Sequence, residues 1–241
     1  MLSNTATPKE YAKFREAVMN GDVPVNKEIS MQMNRIDADI ANPDFYYDEQ
    51  AMDGYVAFCE NELTLTDGSD LIRLPTFKLW AEDVLSWFEF VDSRVFNPRT
   101  ERYEIIKKKK RLRNIQYLIV ARGASKSLYP STHQAYGLIV DTNTTVGITT
   151  APTMKQSEEI MQPIETAIAR ARGPVFRLLT QGSVKSRSYQ SQAKLAPTKK
   201  GIINSLTNSR IEVRPMRVDK LQGARSKYNT IDKRNLRRKK C

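Results

Sequence analysis

The segment 116–127 constrains the fold more than any other part of the chain. It reads Gln-Tyr-Leu-Ile-Val-Ala-Arg-Gly-Ala-Ser-Lys-Ser, so an apolar stretch runs directly into a loop of small residues that ends in Lys-Ser. Small residues let backbone N–H groups approach an anion, and a helix that begins behind them adds a favourable dipole. The segment therefore predicts a buried strand, a phosphate-binding loop and the start of a helix.

Two residues of this loop have predicted roles in binding a nucleotide. Lys126 is expected to contact the β- and γ-phosphates, and the Ser127 hydroxyl to ligate Mg²⁺. The match to G-x-x-x-x-G-K-[ST] is imperfect, because Val120 and Ser125 occupy the two glycine positions. On this segment alone, an ordinary strand–turn–helix connection with a surface lysine is the open alternative.

The residues beyond the loop predict a parallel α/β sheet. Helices are predicted at 131–140 and at 154–172, the latter capped by 151–153, with a β-branched strand at 144–150 between them. Two or three short strands follow in 193–215. Because strands alternate with helices around the loop, the order is typical of a parallel sheet.

The residues before the loop predict mainly helices. About three are expected in 8–63, the first with Thr7 as its N-cap and Pro8 at its first position. A small strand pair is expected in 63–74, a helix at 75–90, and an exposed basic loop at 97–113.

Charge is divided unevenly along the chain. Residues 1–106 contain 10 Lys/Arg and 20 Asp/Glu, whereas 107–241 contain 29 and 7. The basic half favours a polyanionic partner, nucleic acid above all, although solvated lysine faces would look the same. The strongest basic runs are 107–113 and 233–240.

Other features of composition narrow the class of protein. Cys59 and Cys241 are the only cysteines, which is neither a disulfide framework nor a metal cluster, and Cys59 is expected to be buried. No apolar run approaches the roughly 18 residues of a membrane span, so no membrane partner is expected. The N-terminus lacks a signal-peptide pattern, which makes the cytoplasm the default location.

Asp232 is the second chemical signal. It ends a short strand predicted at 228–232. In a nucleotide site built on a parallel sheet, a carboxylate at the end of a neighbouring strand holds Mg²⁺ directly or through water, and Asp232 has such a position. The next residue is Lys233, although a glutamate that orients the attacking water is usual there, and a lysine cannot act as that general base. A turn residue before a basic tail is the equally open alternative.

Taken together, several segments resemble the N-terminal ATPase region of the large terminase subunit of tailed bacteriophages, a motor that packages double-stranded DNA. The loop resembles the deviant Walker A loop of terminases, with an arginine four residues before the lysine. The other similar segments are the adenine-side segment 74–80, the strand-to-helix motif 148–158, the loop 214–223, and the Walker B strand 228–232.

The resemblance implies a site that binds ATP and Mg²⁺. Arg122 would contact the γ-phosphate or act as a cis arginine finger, and Asp232 would be the Walker B carboxylate that holds the metal with Ser127. The nucleotide-binding residues would be Gly123, Ala124, Ser125, Lys126, Ser127 and Lys78, the last in place of a common glutamine.

The resemblance also implies a fold, partners and a location. The expected fold is α/β, an incomplete P-loop NTPase-type sheet, mostly parallel, after a small, mainly helical segment. Residues 1–70 would be that accessory segment, 71–232 a partial ATPase domain, and 233–241 a basic, disordered or frameshifted tail. Expected partners are double-stranded DNA, a terminase small subunit, a portal protein and further copies of the full-length chain, in the host cytoplasm.

The sequence leaves three functional hypotheses. One is a truncated terminase-type ATPase with impaired catalysis, because the Walker B glutamate, coupling motif and nuclease domain are missing. Another is a basic, non-enzymatic DNA-binding protein that grips phosphates. The last is a P-loop ATPase of another family, such as a helicase.

Overall fold

The protein has a mixed α/β fold. The computed structural model describes residues 7–63, 75–113, 115–116, 118, 128–140, 146–170, 173–180, 194–198, 201–216, 226 and 228–231. The chain forms two compact units: unit 1 comprises residues 1–56 and 72–117, and unit 2 comprises residues 57–71 and 118–241. A three-stranded antiparallel sheet and a five-stranded mixed sheet contain the described strands.

Unit 1 begins with helices, as the sequence predicts. The helices are α1 (Lys9–Met19), α2 (Lys27–Ala41), the first part of α3 (Glu49–Glu62) and, after the gap, α4 (Pro75–Leu85). A short strand, β1 (Phe45–Tyr47), separates α2 from α3. The expected strand pair in 63–74 lies almost entirely outside the described residues.

The predicted cap of α1 is wrong. The helix begins at Lys9, and Pro8 is its N-cap with no side-chain capping bond. The carboxylate of Glu82 on α4 accepts hydrogen bonds from the backbone N–H groups of Glu10 (3.0 Å) and Tyr11 (2.8 Å) instead. A distant carboxylate thus satisfies donors that a local threonine was expected to satisfy.

The predictions for residues 86–113 are also wrong. Helix α4 ends at Leu85, and the next residues form β2 (Trp87–Asn97) and β3 (Arg102–Arg111), which pair antiparallel along their whole length. Trp87 and Phe88, which fall in the helix predicted at 75–90, are buried but belong to β2. Strand β3 replaces the expected loop because its backbone bonds to β2 need no apolar pattern in its side chains.

The described residues of unit 2 form three helices and five strands after α3. The helices are α5 (Leu128–Val140), α6 (Met154–Arg170) and α7 (Pro174–Thr180). The strands are β4 (Val146–Ala151), β5 (Leu195–Thr198), β6 (Gly201–Asn204), β7 (Ser209–Pro215) and β8 (Tyr228–Ile231). These elements confirm the strand–helix order predicted beyond the loop.

The sheet of unit 2 is mixed rather than mostly parallel. Its order is β5-β6-β7-β4-β8. Strand β4 pairs parallel with β7 and with β8, whereas β5, β6 and β7 pair antiparallel as a meander. Two residues separate β5 from β6 and four separate β6 from β7, and connections this short force neighbouring strands to be antiparallel.

Helices cover the sheet of unit 2 and bury its core. Residues 147–151 of β4 are buried, and a side chain at Gly147 would come within 3.3 Å of Ile211 on β7. Cys59 is buried, as predicted. Glu62 is 2% exposed and accepts hydrogen bonds from the backbone N–H groups of Val175 (2.9 Å) and Phe176 (2.8 Å), which caps α7.

Candidate functional site

Most of the predicted site residues lie outside the described part of the chain. These are Arg122, Gly123, Ala124, Ser125, Lys126, Ser127 and Asp232. Lys78 is described: it lies half-buried on α4, next to the buried Phe77, whose ring stacks on Trp80 with centroids 5.8 Å apart. The predicted roles of all these residues stay predictions.

The described elements define the surroundings of the predicted site in unit 2. Strands β7, β4 and β8 are parallel, so their carboxyl ends lie at one edge of the sheet, here called the carboxyl edge. Thr150 is opposite Arg214 on β7 and Ile231 on β8. In α/β proteins, ligands bind preferentially at such an edge.

Two hydrogen bonds establish the direction of α5 along the sheet. The side chain of Gln134 bonds to Thr149, near the carboxyl end of β4 (2.7 Å). One turn later, the carbonyl of Leu138 accepts a bond of 2.9 Å from Asn204, whose partner Ser209 begins β7. Helix α5 therefore runs antiparallel to β4, and its N-terminus is directed toward the carboxyl edge.

Gln134 also fastens α5 to β8. Its amide nitrogen donates to Thr230 Oγ1 (2.8 Å) and to the carbonyl of Ile148 (3.3 Å), while its amide oxygen accepts from Thr149 Oγ1. Gln134 and Thr149 are at most 2% exposed. A buried network whose members are all bonded holds its elements in one register, because each unmade bond costs about 1–3 kcal/mol.

Helix α6 also begins at the carboxyl edge, directly after β4. Thr153 is its N-cap, as predicted: its Oγ1 accepts a hydrogen bond from the backbone N–H of Gln156 (3.3 Å). The Ser157 hydroxyl donates to the carbonyl of Arg214 (3.1 Å), which ties the first turn of α6 to the end of β7. Two helix N-termini are thus directed to the same edge, which favours an anion there.

The sequence did not single out two polar residues of these strands, Thr150 near the carboxyl edge and Glu212 in the middle of β7. Thr150 is 3% exposed, and its Oγ1 has no hydrogen-bond partner in the described structure. Burial raises the pKa of Glu212, but hydrogen bonds from Arg210 (2.5 Å) and Arg214 (2.9 Å) outweigh that effect and lower it overall. The β-branched and alternating residues around Thr150 and Glu212 identified strands. That pattern did not distinguish a functional residue from a structural one.

Metal ligands and membrane spans were searched over the described residues. No group of three or more His, Cys, Asp and Glu side chains there could hold a metal ion. The predicted Mg²⁺ ligands, Ser127 and Asp232, lie outside that search. None of the described helices combines the length and the apolar character that crossing a bilayer requires.

The chain matches no protein-family model, no curated protein and no solved structure. The class that the fold defines is a mixed α/β protein with a helix-covered sheet and a separate antiparallel sheet.

Proposed function

We propose that the protein is a terminase-type P-loop ATPase that binds Mg-ATP at the carboxyl edge and acts on double-stranded DNA. In this proposal Lys126 contacts the phosphates, Arg122 stabilises charge on the γ-phosphate, and Ser127 and Asp232 hold Mg²⁺. By resemblance, the DNA would be a phage genome, with a small terminase subunit and a portal protein as partners.

The main support for the proposal is that the start of α5 and the end of β8 lie near each other at the carboxyl edge. In the sequence, Ser127 immediately precedes α5 and Asp232 immediately follows β8. The start of α5 is directed toward the carboxyl edge, and Gln134 bonds α5 to Thr230 near the end of β8. A P-loop site requires this arrangement, since its loop and its metal-binding carboxylate come from adjacent elements at one edge.

Lys233 limits the expected rate of ATP hydrolysis. A general base that orients the attacking water contributes roughly 10²–10⁴-fold to the rate, and a lysine beside Mg-ATP cannot take that role. We therefore expect the chain to bind Mg-ATP and to hydrolyse it slowly.

Binding of a fluorescent ATP analogue in the presence of Mg²⁺ tests the site directly. Lys126→Ala is expected to weaken binding by at least about tenfold, because one charge-assisted hydrogen bond contributes about 1.5–3 kcal/mol. The matched control is Lys194→Ala, an exposed lysine of the same unit. Equal affinity of both variants and the wild type would refute the nucleotide site.

A second experiment tests the assignment of Asp232. If it is the Walker B carboxylate, then Lys233→Glu supplies the missing base and is expected to raise ATP turnover by roughly 10²-fold. Lys233→Gln is the control, since it removes the same positive charge without supplying a base. Equal turnover of the two variants, or rapid turnover by the wild type, contradicts the assignment.

A further inference from the structure

The outer part of the β2–β3 hairpin is a two-stranded ribbon with no third strand beside it in the described structure. Strand β1 pairs only with residues 87–89 of β2, and β3 is at the edge of the sheet. Residues 90–97 and 102–109, here called the basic ribbon, therefore pair only with each other. Eight residue pairs at about 3.4 Å each give a ribbon roughly 27 Å long.

The basic ribbon has an excess of positive charge. Its two strand segments contain five Lys/Arg and two Asp/Glu, a net charge of +3. Within the described residues, Lys107 pairs with Asp92 and Lys109 with Asp48. The remaining cations of the ribbon have no salt-bridge partner among those residues: Arg94, Arg102 and Lys108.

These cations lie on both faces of the ribbon. Residues opposite each other in the register share a face, and successive pairs alternate between faces. Arg94, opposite Ile105, is on one face, whereas Arg102, opposite Asn97, is on the other. Lys108, opposite Val91, shares the face of Arg102. A ribbon with cations on both faces suits a site with phosphates on both sides.

The two aromatic side chains near the tip of the ribbon, Phe96 and Tyr103, pack on each other. The guanidinium of Arg94 lies 4.4 Å from the centroid of the Tyr103 ring, and Phe96 meets that ring edge-on at 5.4 Å. This packing stiffens the tip of the ribbon, and Arg94 covers one face of the Tyr103 ring, which reduces the surface on which an unpaired base could stack. The cations on both faces of the ribbon favour a duplex over a single strand, because two phosphate backbones flank a groove of a duplex.

We propose that the basic ribbon is a binding site for double-stranded DNA, inserted in the major groove with its cations on the flanking phosphates. The major groove is about 12 Å wide and admits a two-stranded β-ribbon. A second copy of the chain is disfavoured as the occupant, because two such ribbons carry like charge. The proposal holds whether or not the chain binds ATP.

Fluorescence anisotropy of the full chain with a short labelled duplex, without nucleotide and over a series of KCl concentrations, tests this site. The variant Arg102→Gln/Lys108→Gln is expected to bind roughly tenfold more weakly at moderate salt. Its slope of log affinity against log salt is expected to fall by about 1.8, since each lost phosphate contact contributes about 0.9. The control Lys13→Gln/Lys27→Gln removes the same charge from α1 and α2 of the same unit and is expected to leave the slope unchanged.

Four further measurements make the result decisive: circular dichroism, a charge-conserving variant, single-strand binding and sedimentation. The substituted side chains are exposed, so circular dichroism is expected to show the same fold for each variant. The variant Arg102→Lys/Lys108→Arg keeps both charges and is expected to restore binding. An unchanged slope in the Gln variant overturns the proposal. So does stronger binding to the single strand than to the duplex, or a dimer in sedimentation that Phe96→Ser/Ile105→Ser disrupts while DNA binding persists.

Discussion

Both sheets of the protein pair their backbone N–H and C=O groups through strands, but one sheet is buried and the other is largely exposed. The sheet of unit 2 is covered by helices, and its strand β4 is buried along five of six residues. The sheet of unit 1 extends into the basic ribbon, where nearly every residue of β3 is exposed and Ile105 is 75% exposed.

The difference shows what stabilises each sheet. Burial of apolar area stabilises the sheet of unit 2 by about 25 cal/mol per Å². The basic ribbon has little such burial, and cross-strand contacts such as the Lys107–Asp92 pair (2.7 Å) and the Arg94–Tyr103 contact contribute roughly 0.2–1 kcal/mol each. Substitutions should therefore affect stability in unit 2 and binding in the ribbon.

The largest effect is expected for Gly201→Ala in unit 2. Gly201 has a φ of 144°, and an added Cβ would come within 1.8 Å of the Ile211 carbonyl oxygen on β7. Strain and overpacking together should lower the free energy of unfolding by about 4 kcal/mol. The control is Gly21→Ala, with a φ of 80° and nothing within 4 Å, for which about 1 kcal/mol is expected. Equal losses in urea unfolding would contradict the clash.

The next largest effect concerns the two buried glutamates, one in each unit. Glu62→Ala leaves two backbone N–H groups of α7 without an acceptor, and Glu82→Ala does the same to α1. Each is expected to cost about 3 kcal/mol in thermal unfolding. Glu158→Ala, an exposed glutamate on α6, should change stability by less than about 0.5 kcal/mol. A large effect in only one unit would show that the two caps are not equivalent.

A smaller effect concerns the pH dependence of unit 1. Burial raises the pKa of Glu82, although the N–H groups of Glu10 and Tyr11 and the hydroxyl of Tyr47 act against it. A carboxyl whose folded-state pKa is raised binds a proton more tightly when folded. Its stabilising contribution is complete below the unfolded pKa of about 4.3 and is lost as pH rises through the folded pKa.

The stability of the wild type relative to Glu82→Gln should therefore fall as pH rises through that window. Urea unfolding at a series of pH values measures this difference, and the glutamine cancels the titration of all other groups. A difference that is constant or rises with pH would show that the hydrogen bonds outweigh burial.

The smallest effect is expected on the ribbon itself. Ile105→Thr should change the free energy of unfolding by less than about 0.5 kcal/mol, because the side chain is already in water. The same substitution at Ile202, which is fully buried on β6, should cost about 2–3 kcal/mol. If both cost the same, the ribbon is covered by another surface in solution.

The sequence predicted helices and strands well where one buried face makes apolar residues recur at a regular spacing. Helices α1 to α3, α5 and α6 and strands β4 to β8 follow from apolar spacing, β-branched residues and turn residues. The sequence-based prediction failed at β2 and β3, because residues 107–111 show no apolar alternation. This run is a strand only because it pairs with β2, and its local sequence does not reveal that pairing. The cap of α1 failed for the same reason, since Glu82 is distant in sequence.

The candidate site was predictable only in part. The cap at Thr153 was found from its local pattern, whereas the network around Gln134 depends on Thr149 and Thr230, which are distant along the chain. A buried glutamine looks the same in sequence as an exposed one. The buried Thr150 could not be recognised either, since its position opposite Ile231 follows only from the parallel pairing.

The cap of α7 also has a consequence for the order of events during synthesis. Glu62 precedes its two backbone partners by 113 and 114 residues. At about 5–20 residues per second, a ribosome needs roughly 6–23 s to make that stretch. During this interval the two backbone N–H groups that bond to Glu62 in the folded chain have not yet been made, so this buried cap cannot form. Residues 1–56 and 72–117 of unit 1 are synthesised before residue 175, so unit 1 can fold before the Glu62 cap of α7 can form.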